Sequence, residues 1–276
     1  MIRLFRERTK SAIPAAFRGQ DRIDKALTLL LKFASTDFDS GYWKKAKKQL
    51  KKESHGKCAY CEAPTSTVAH GDVEHFRPKS KYWWFAYCYD NYLFSCQLCN
   101  QSFKGNEFPL RDDTLKLAEP VLAANAADAD KKKLVTEMSP DPYDLRDAAP
   151  LTDFETLCRD EGATLVNPYL DDPEEFFRWE ADTLLHEVSV AAKTTAAEPF
   201  FEAADKFYGL NRQDLRLERG RVYRNLSVFA KALESNQLDA PLAQDVKDTI
   251  QAMLAPDAAF AGMCRYFVRE KWQLQL

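Results

Sequence analysis

The sequence predicts a mainly helical protein with a small α+β unit in its N-terminal half. Three observations predict this class. Apolar residues recur at helical spacing in both the N-terminal and the C-terminal parts of the chain. Two short extended stretches, DVEHF and NYLFSC, lie between those parts, beside two Cys-x-x-Cys pairs. The 276 residues, 45% hydrophobic and 29% charged, are enough for one large domain or two ordinary ones with a sizeable core.

An N-terminal helical segment is expected over residues 1–56. Its first helix is predicted over Asp21–Ala34, where apolar side chains form a stripe. A second helix is predicted over Tyr42–Glu53, with Trp43 and Leu50 turned inward and the lysines covering the remaining surface. The glycine that follows this helix would end it just before the first cysteine pair.

The charge of the chain is distributed unevenly. Residues 1–81 hold 18 Lys and Arg against 9 Asp and Glu, although the whole chain has a formal net charge of -3. The N-terminal part is therefore basic and the remainder acidic, which suits a polyanionic partner that binds one side of the protein. The lysine-rich run KKAKKQLKK, Lys44 to Lys52, is open to a second interpretation, because such runs are usually the solvated face of a helix.

The second half of the chain divides into a linker and a helical domain. Residues 111–155 are rich in Asp, Ala and Pro and are predicted to be a linker with room for one helix. A C-terminal helical domain is expected over 156–276, with helical patterns in DDPEEFFRWEADTLL, AAEPFFEAADKFYGL and NRQDLRLERGRVYRNLSVFAKAL. The last pattern is made basic by arginines for which a solvated face is favoured over a partner-binding or phosphate-binding surface, among them Arg212, Arg216, Arg219 and Arg224.

The composition also predicts a cytoplasmic protein without a membrane segment. No apolar run approaches the roughly 18 residues that a membrane span needs. The opening MIRLFRERTK is followed by no apolar stretch or cleavage site of a signal peptide. In a cytoplasmic chain, seven cysteines favour metal binding or plain burial over disulfides.

Two Cys-x-x-Cys pairs predict a structural zinc site. Cys58 and Cys61 form CAYC, and Cys96 and Cys99 form CQLC, with 34 residues between the two pairs. Thiolates suit zinc, and four of them close its coordination shell, so this zinc would stabilise the fold and take no part in a reaction. A redox Cys-x-x-Cys motif is the alternative, but no βαβ pattern surrounds either pair.

The order of Glu74, His75, Asn91 and Asn100 resembles the motif of the HNH endonucleases, which have the ββα-metal fold. In that family a His-containing strand, a middle Asn, and a third His or Asn that opens a helix surround one divalent metal. Many members bracket this unit with two Cys-x-x-Cys knuckles, as this sequence does. The resemblance covers residues 57–110. It departs at Asn100, where His is more common; an Asn oxygen still implies a hard metal, magnesium or manganese.

The resemblance implies a role for each of the four residues in phosphodiester hydrolysis. His75 would take a proton from the attacking water if its pKa is near neutral. Glu74 and Asn100 would hold the metal that contacts the scissile phosphate and the leaving oxygen. Asn91 would form hydrogen bonds across the loop and fix its shape.

The same stretch offers cations for the substrate and raises a geometric difficulty. Arg77, Lys79 and Lys104 could contact the phosphates that flank the cut. Successive side chains of a regular strand point to opposite faces, so Glu74 and His75 converge only if the strand ends or bends there. The proline that follows makes an ending at this point reasonable.

A longer resemblance extends beyond the nuclease motif. HGKCAYCE, VEHFRPKS, DNYLFSCQLCNQSFKGNEFPL, LVNPYLDDPEEFFRW and GLNRQDLRLER are similar to the HNH subunit of Septu-type antiphage systems and its retron-associated relatives. That similarity implies a nuclease that cuts DNA, or RNA, together with an ABC/AAA-type ATPase subunit. Two alternatives stay open. The chain could be a zinc-stabilised nucleic-acid-binding scaffold with an inactive HNH site, or a stand-alone restriction-type nuclease.

Overall fold

Helices make up most of the structure, a computed structural model that describes residues 1–32, 37–65, 70–123, 125–144, 146 and 148–276. The α-helices are α1 (Gly19–Lys32), α2 (Ser40–Lys44), α3 (Lys47–Glu53), α4 (Asp128–Met138), α5 (Ala149–Asp160), α6 (Pro173–Phe176), α7 (Glu198–Tyr208), α8 (Gln213–Glu234), α9 (Ala240–Leu254) and α10 (Ala261–Arg265). Two further helices have i→i+5 hydrogen bonds: Leu98–Lys104, called here the site helix, and Tyr266–Lys271. Single 3₁₀ turns lie at Ala15–Phe17, Trp83–Phe85, Tyr89–Asn91, Asp113–Leu115 and Thr195–Ala197. The mainly helical class is confirmed.

Two antiparallel hairpins supply the strands of the described residues. In the first, β1 (Asp72–His75) pairs with β2 (Tyr92–Ser95), and the register sets His75 opposite Tyr92. In the second, β3 (Phe177–Asp182) pairs with β4 (Glu187–Ala192). The first hairpin contains the two stretches that the sequence predicted to be extended, and the site helix follows it directly.

The predicted N-terminal helices are present with shifted bounds. The first begins at Gly19, and its predicted end at Ala34 lies outside the described residues. The second is divided into α2 and α3 at Lys45 and Ala46, whose φ and ψ angles stay helical. The helical direction is therefore kept through the break. Of the inward stripe, Leu50 is fully buried and Trp43 partly buried, and α3 packs on β1 and β2.

One of the three helical patterns predicted in the C-terminal part is wrong. In DDPEEFFRWEADTLL, Asp172 caps Pro173–Phe176, but that helix ends after a single turn. From Phe177 onward the burial alternates, with Phe177 and Trp179 inside and the residues between them more exposed. Burial of every second residue is typical of a half-buried strand and not of a helix. The pairing with β4 shows that this segment is a strand. The other two patterns form α7 and α8 as predicted.

The segment predicted as a linker holds two helices. α4 lies within it and packs on α1 and α5, while α5 runs across the boundary predicted at 155/156. One cluster of buried apolar residues extends through all parts of the chain, from Met1 to Val268. All seven cysteines are free. Within the described ranges, no helix is both long and apolar enough to cross a membrane.

Candidate metal centre and active site

The four cysteines of the two pairs meet in space. The Sγ atoms of Cys58, Cys61, Cys96 and Cys99 all lie within 4.8 Å of one another, and those of Cys61 and Cys96 are 4.0 Å apart. A tetrahedral zinc with Zn–S bonds of about 2.3 Å needs sulfurs about 3.8 Å apart. The sulfur spacing and the thiolate chemistry therefore fit zinc. The predicted four-cysteine cluster is confirmed as a group of side chains that could bind a metal ion.

Local backbone structure brings each pair of sulfurs to one side of its turn. The first pair lies in a turn closed by a bridge between Lys57 and Pro64, with the Glu62 N–H donating to the carbonyl of Cys58 at 3.0 Å. The second pair begins directly after β2, where the Cys99 N–H donates to the Sγ of Cys96 at 3.4 Å. The backbone of each turn thus helps to position the two sulfurs of its pair.

An arginine from the C-terminal helices also reaches the cluster. Arg212, which precedes α8, has its guanidinium nitrogens 3.5 Å from the Sγ of Cys99 and 3.7 Å from that of Cys61. Burial acts against its charge, but the thiolates of Cys99 and Cys61 outweigh burial and raise the pKa of Arg212. The sequence favoured a solvated face for the arginines near α8. That expectation is wrong for Arg212 and for Arg219, which is 3% exposed.

Glu74 and His75 contact different neighbours, as successive residues of a strand do. The Nε2 of His75 lies 3.0 Å from the carbonyl oxygen of Ala86. Because a carbonyl only accepts, Nε2 carries the proton and Nδ1 keeps its lone pair. The ring packs edge-on against Trp43 and Tyr92, with centroids 4.9 Å away in both cases.

The imidazole of His75 is held in its neutral form. His75 is only 5% exposed to solvent. Burial lowers the pKa of His75 to about 3, and the positive charges of Lys79 and Lys104 act in the same direction. This pKa lies well below the near-neutral value that the sequence-based prediction required of a general base, so the ring is a weak base in this environment.

Glu74 points towards the site helix. Its Oε1 lies 2.5 Å from the Nζ of Lys104, a charge contact whose angles are not those of a hydrogen bond. The same Nζ donates to the backbone carbonyl of His75 at 3.1 Å. Burial raises the pKa of Glu74, and the charge of Lys104 opposes that rise. Lys104 is completely buried, so it joins β1 to the site helix and does not reach the solvent.

Asn91 makes the cross-loop hydrogen bonds that a positioning residue needs. Its side-chain amide donates to the carbonyls of Arg77 at 3.0 Å and Phe85 at 3.3 Å. Its Oδ1 accepts from the N–H of Arg77 at 2.8 Å. These three bonds hold the chain that leaves β1 against the chain that enters β2.

The predicted phosphate contacts divide into buried and accessible residues. The guanidinium of Arg77 is 2% exposed and donates to Glu161 at 2.8 Å and to the Cys158 carbonyl at 2.9 Å. Arg77 therefore faces the interior, as Lys104 does. Lys79 is partly exposed, and its Nζ lies 4.8 Å from the ring centroid of Trp43.

Asn100 is predicted, together with Glu74, to hold the divalent metal. It lies on the site helix four residues before Lys104, is partly exposed, and its backbone N–H donates to the Cys96 carbonyl at 3.0 Å. Within the described residues, the cysteines form the one group of three or more His, Cys, Asp or Glu ligand atoms. Glu74 and Asn100 could hold the predicted divalent metal together with water and substrate oxygens. Magnesium is commonly held in this way.

The fold and the site define a class: a mainly helical protein with a four-cysteine metal-binding centre beside a β-hairpin and a short helix. No family model matches the chain, and no solved structure matches it. The chain is similar to a curated protein, the Septu protein PtuB of Bacillus mycoides (strain KBAB4), with 26% identity over 232 residues. The match covers 76% of this chain and 64% of the relative, so the chain spans about two thirds of the relative's length. The resemblance to a Septu protein is confirmed.

Proposed function

We propose that this chain is the nuclease subunit of a Septu-type antiphage defence complex, and that it hydrolyses nucleic-acid phosphodiester bonds. DNA is the favoured substrate and RNA the second. One observation carries the proposal: the end of β1, which bears Glu74 and His75, is joined through Lys104 to the helix that carries Asn100. The order of hairpin and helix supports an HNH site with the ββα-metal fold.

His75 would serve as the general base. Its Nε2 is bound to the Ala86 carbonyl, which fixes the ring and leaves Nδ1 to accept a proton from the attacking water. The low pKa of the buried ring opposes this role, so base catalysis requires a state in which His75 is less enclosed and its pKa is higher. Asn91 would preserve the loop geometry that holds the ring in place.

The oxygen donors of the site fit a hard divalent cation. Glu74 is buried and could supply a carboxylate ligand, but its Oε1 is paired with the Lys104 ammonium at 2.5 Å, so a metal would have to share or displace that contact. Asn100 would add an amide oxygen. Magnesium or manganese bound there would neutralise charge on the phosphate and on the leaving oxygen. The zinc held by the four cysteines would be structural.

The name of the relative places that protein in a Septu system. We extend this role to the chain and propose an ABC/AAA-type ATPase as its partner subunit. A second function, a nucleic-acid-binding scaffold with an inactive site, is favoured by one observation. His75 is almost fully enclosed, and Lys104 already occupies the carboxylate of Glu74. For the site to be active, Trp43 or its neighbours would have to move so that the substrate can reach His75.

Nuclease assays test both functions. Supercoiled plasmid, single-stranded DNA and a structured RNA are incubated with magnesium or manganese, with and without any ATPase encoded beside the chain. Wild type is compared with His75→Ala and with His186→Ala, a control in the exposed turn between β3 and β4. Circular dichroism and zinc content verify that each variant is folded.

Cleavage by wild type and His186→Ala, but not by folded His75→Ala, is the expected result. A folded His75→Ala that cuts at the wild-type rate would remove His75 from the mechanism. Absence of cleavage by wild type on every substrate, with the ATPase present, would favour the scaffold. Full activity without the ATPase would instead favour a stand-alone nuclease.

A further inference from the structure

The substrate-binding cations of the proposed nuclease need a different location from the one that the sequence suggested. Arg77 and Lys104 are buried against Glu161 and Glu74, so they are not available to a polyanion. Lys79 alone would be a weak contact for a charged strand, because nucleic-acid affinity depends on several phosphate contacts. The described surface near His75 therefore has to supply further cations.

The helices α2 and α3 and the break between them carry six lysines, and the partners of these lysines divide them into two groups. Lys45 lies over the ring of Tyr42, and Lys52 is paired with Glu7 at 2.7 Å. The other four have no carboxylate within 4.0 Å among the described residues: Lys44, Lys47, Lys48 and Lys51. Unpaired lysines keep their full charge available to a partner.

Helical geometry places the four unpaired lysines on one side. The chain keeps helical angles from α2 into α3, and Tyr42, Ala46 and Leu50 define its buried face. A helix turns by about 100° per residue, so the four unpaired lysines lie on the outer face and on the side of the helix nearer to Trp43. The two lysines with partners lie on the other side of the helix. We call Lys44, Lys47, Lys48 and Lys51 the lysine face.

The lysine face lies next to His75, the proposed general base. Trp43 precedes it in the sequence and packs edge-on against the ring of His75. The Nζ of Lys79 lies over the ring of the same Trp43, 4.8 Å from its centroid. α3 packs on both strands of the hairpin that carries Glu74 and His75. A continuous band of positive charge therefore runs from the helices, past Trp43, to Lys79.

We propose that the lysine face binds the sugar–phosphate backbone of the nucleic-acid substrate next to His75, with Lys79 as its inner end. This inference rests on the proposed nuclease function and names the surface that the substrate follows. The occupant is a nucleic acid because the charges repeat along the helix without acidic side chains between them, which complements a chain of phosphates. The interaction would be salt-dependent and insensitive to sequence.

Binding is measured by fluorescence anisotropy in the His75→Ala background, which separates binding from cleavage. The probes are a labelled DNA duplex, its single strand and an RNA of the same sequence, each titrated at several salt concentrations. The test variant is Lys44→Gln, Lys48→Gln and Lys51→Gln combined, since Gln keeps a good helix propensity. The matched control removes three charges from α4: Lys131→Gln, Lys132→Gln and Lys133→Gln.

The test variant should bind its preferred probe about tenfold or more weakly, and its log–log salt slope should fall by about two to three. The control variant should keep the affinity and the salt slope of the parent protein. If the test variant keeps the parental affinity and slope while the parent binds well, the lysine face is overturned and the nuclease proposal stands. If the parent binds none of the probes, the lysine face is overturned together with nucleic acid as the substrate.

Discussion

The rings of Tyr60 and Tyr208 stack in parallel, with centroids 3.8 Å apart and 12° between their planes. Tyr60 lies between the two cysteines of the first pair, and Tyr208 is the last residue of α7. Next to it, Gly209 takes a φ of +62°, and a Cβ at that position would lie 2.6 Å from the ring of Phe103 on the site helix. The C-terminal helices are therefore fitted closely to the metal centre.

Removing the stacked ring should destabilise the protein. Tyr208→Ala should lower the free energy of unfolding by about 3–5 kcal/mol, because it leaves a cavity beside Tyr60. Tyr208→Phe should cost only about 1 kcal/mol, since it removes the hydroxyl that donates to the Val166 carbonyl at 3.2 Å. Urea unfolding of the zinc-loaded protein measures both values. Equal losses in the two variants would show that the ring contributes little.

The guanidinium of Arg212 should strengthen metal binding. Its contacts with Cys61 and Cys99 offset the negative charge of the thiolates. Arg212→Gln should therefore weaken zinc binding by about 10–100-fold, the usual effect of losing an outer-shell partner. Competition with a chromogenic chelator measures the affinity. The exposed Arg221→Gln is the control and should bind zinc as wild type does; equal affinities for all three proteins would contradict the prediction.

The two cysteine pairs should act together as one site. Cys58→Ser or Cys96→Ser should each lower the zinc content and the melting temperature, because structural zinc contributes directly to folding free energy. Cys264→Ala removes a sulfur that lies outside the cluster, so it should retain one zinc per chain. Elemental analysis and thermal unfolding give the two readouts. Retention of the full zinc content in both serine variants would reject the four-cysteine site.

Short-range patterns in the sequence were enough to predict the first hairpin, the helix after it and the cysteine cluster. Each extended stretch and each cysteine pair is defined by residues that are close together in the sequence, such as the two thiols of CAYC. The β3–β4 hairpin was missed because a period of two over Phe177 and Trp179 is too short to outweigh the helix signals before it.

The interior positions of Arg77 and Arg212 could not be predicted in the same way. The partner of Arg77 is Glu161, 84 residues along the chain, and Arg212 reaches a cysteine 113 residues away. An arginine beside an active-site motif has the same sequence signal whether it faces phosphate or a buried carboxylate. Only the tertiary structure tells the two apart.

The ion pair between Arg77 and Glu161 gives a prediction that separates a structural role from a phosphate contact. The two side chains are 3% and 0% exposed, and Glu161 also accepts from the Tyr82 hydroxyl at 2.6 Å. Arg77→Met should lower the free energy of unfolding by about 3–5 kcal/mol, because it leaves a buried carboxylate without its cation. Lys81→Met removes one charge from the exposed pair with Glu107 and should have little effect. Denaturant unfolding measures stability, and anisotropy with labelled DNA measures binding by the folded fraction. A variant of unchanged stability that binds DNA more weakly would instead make Arg77 a phosphate contact.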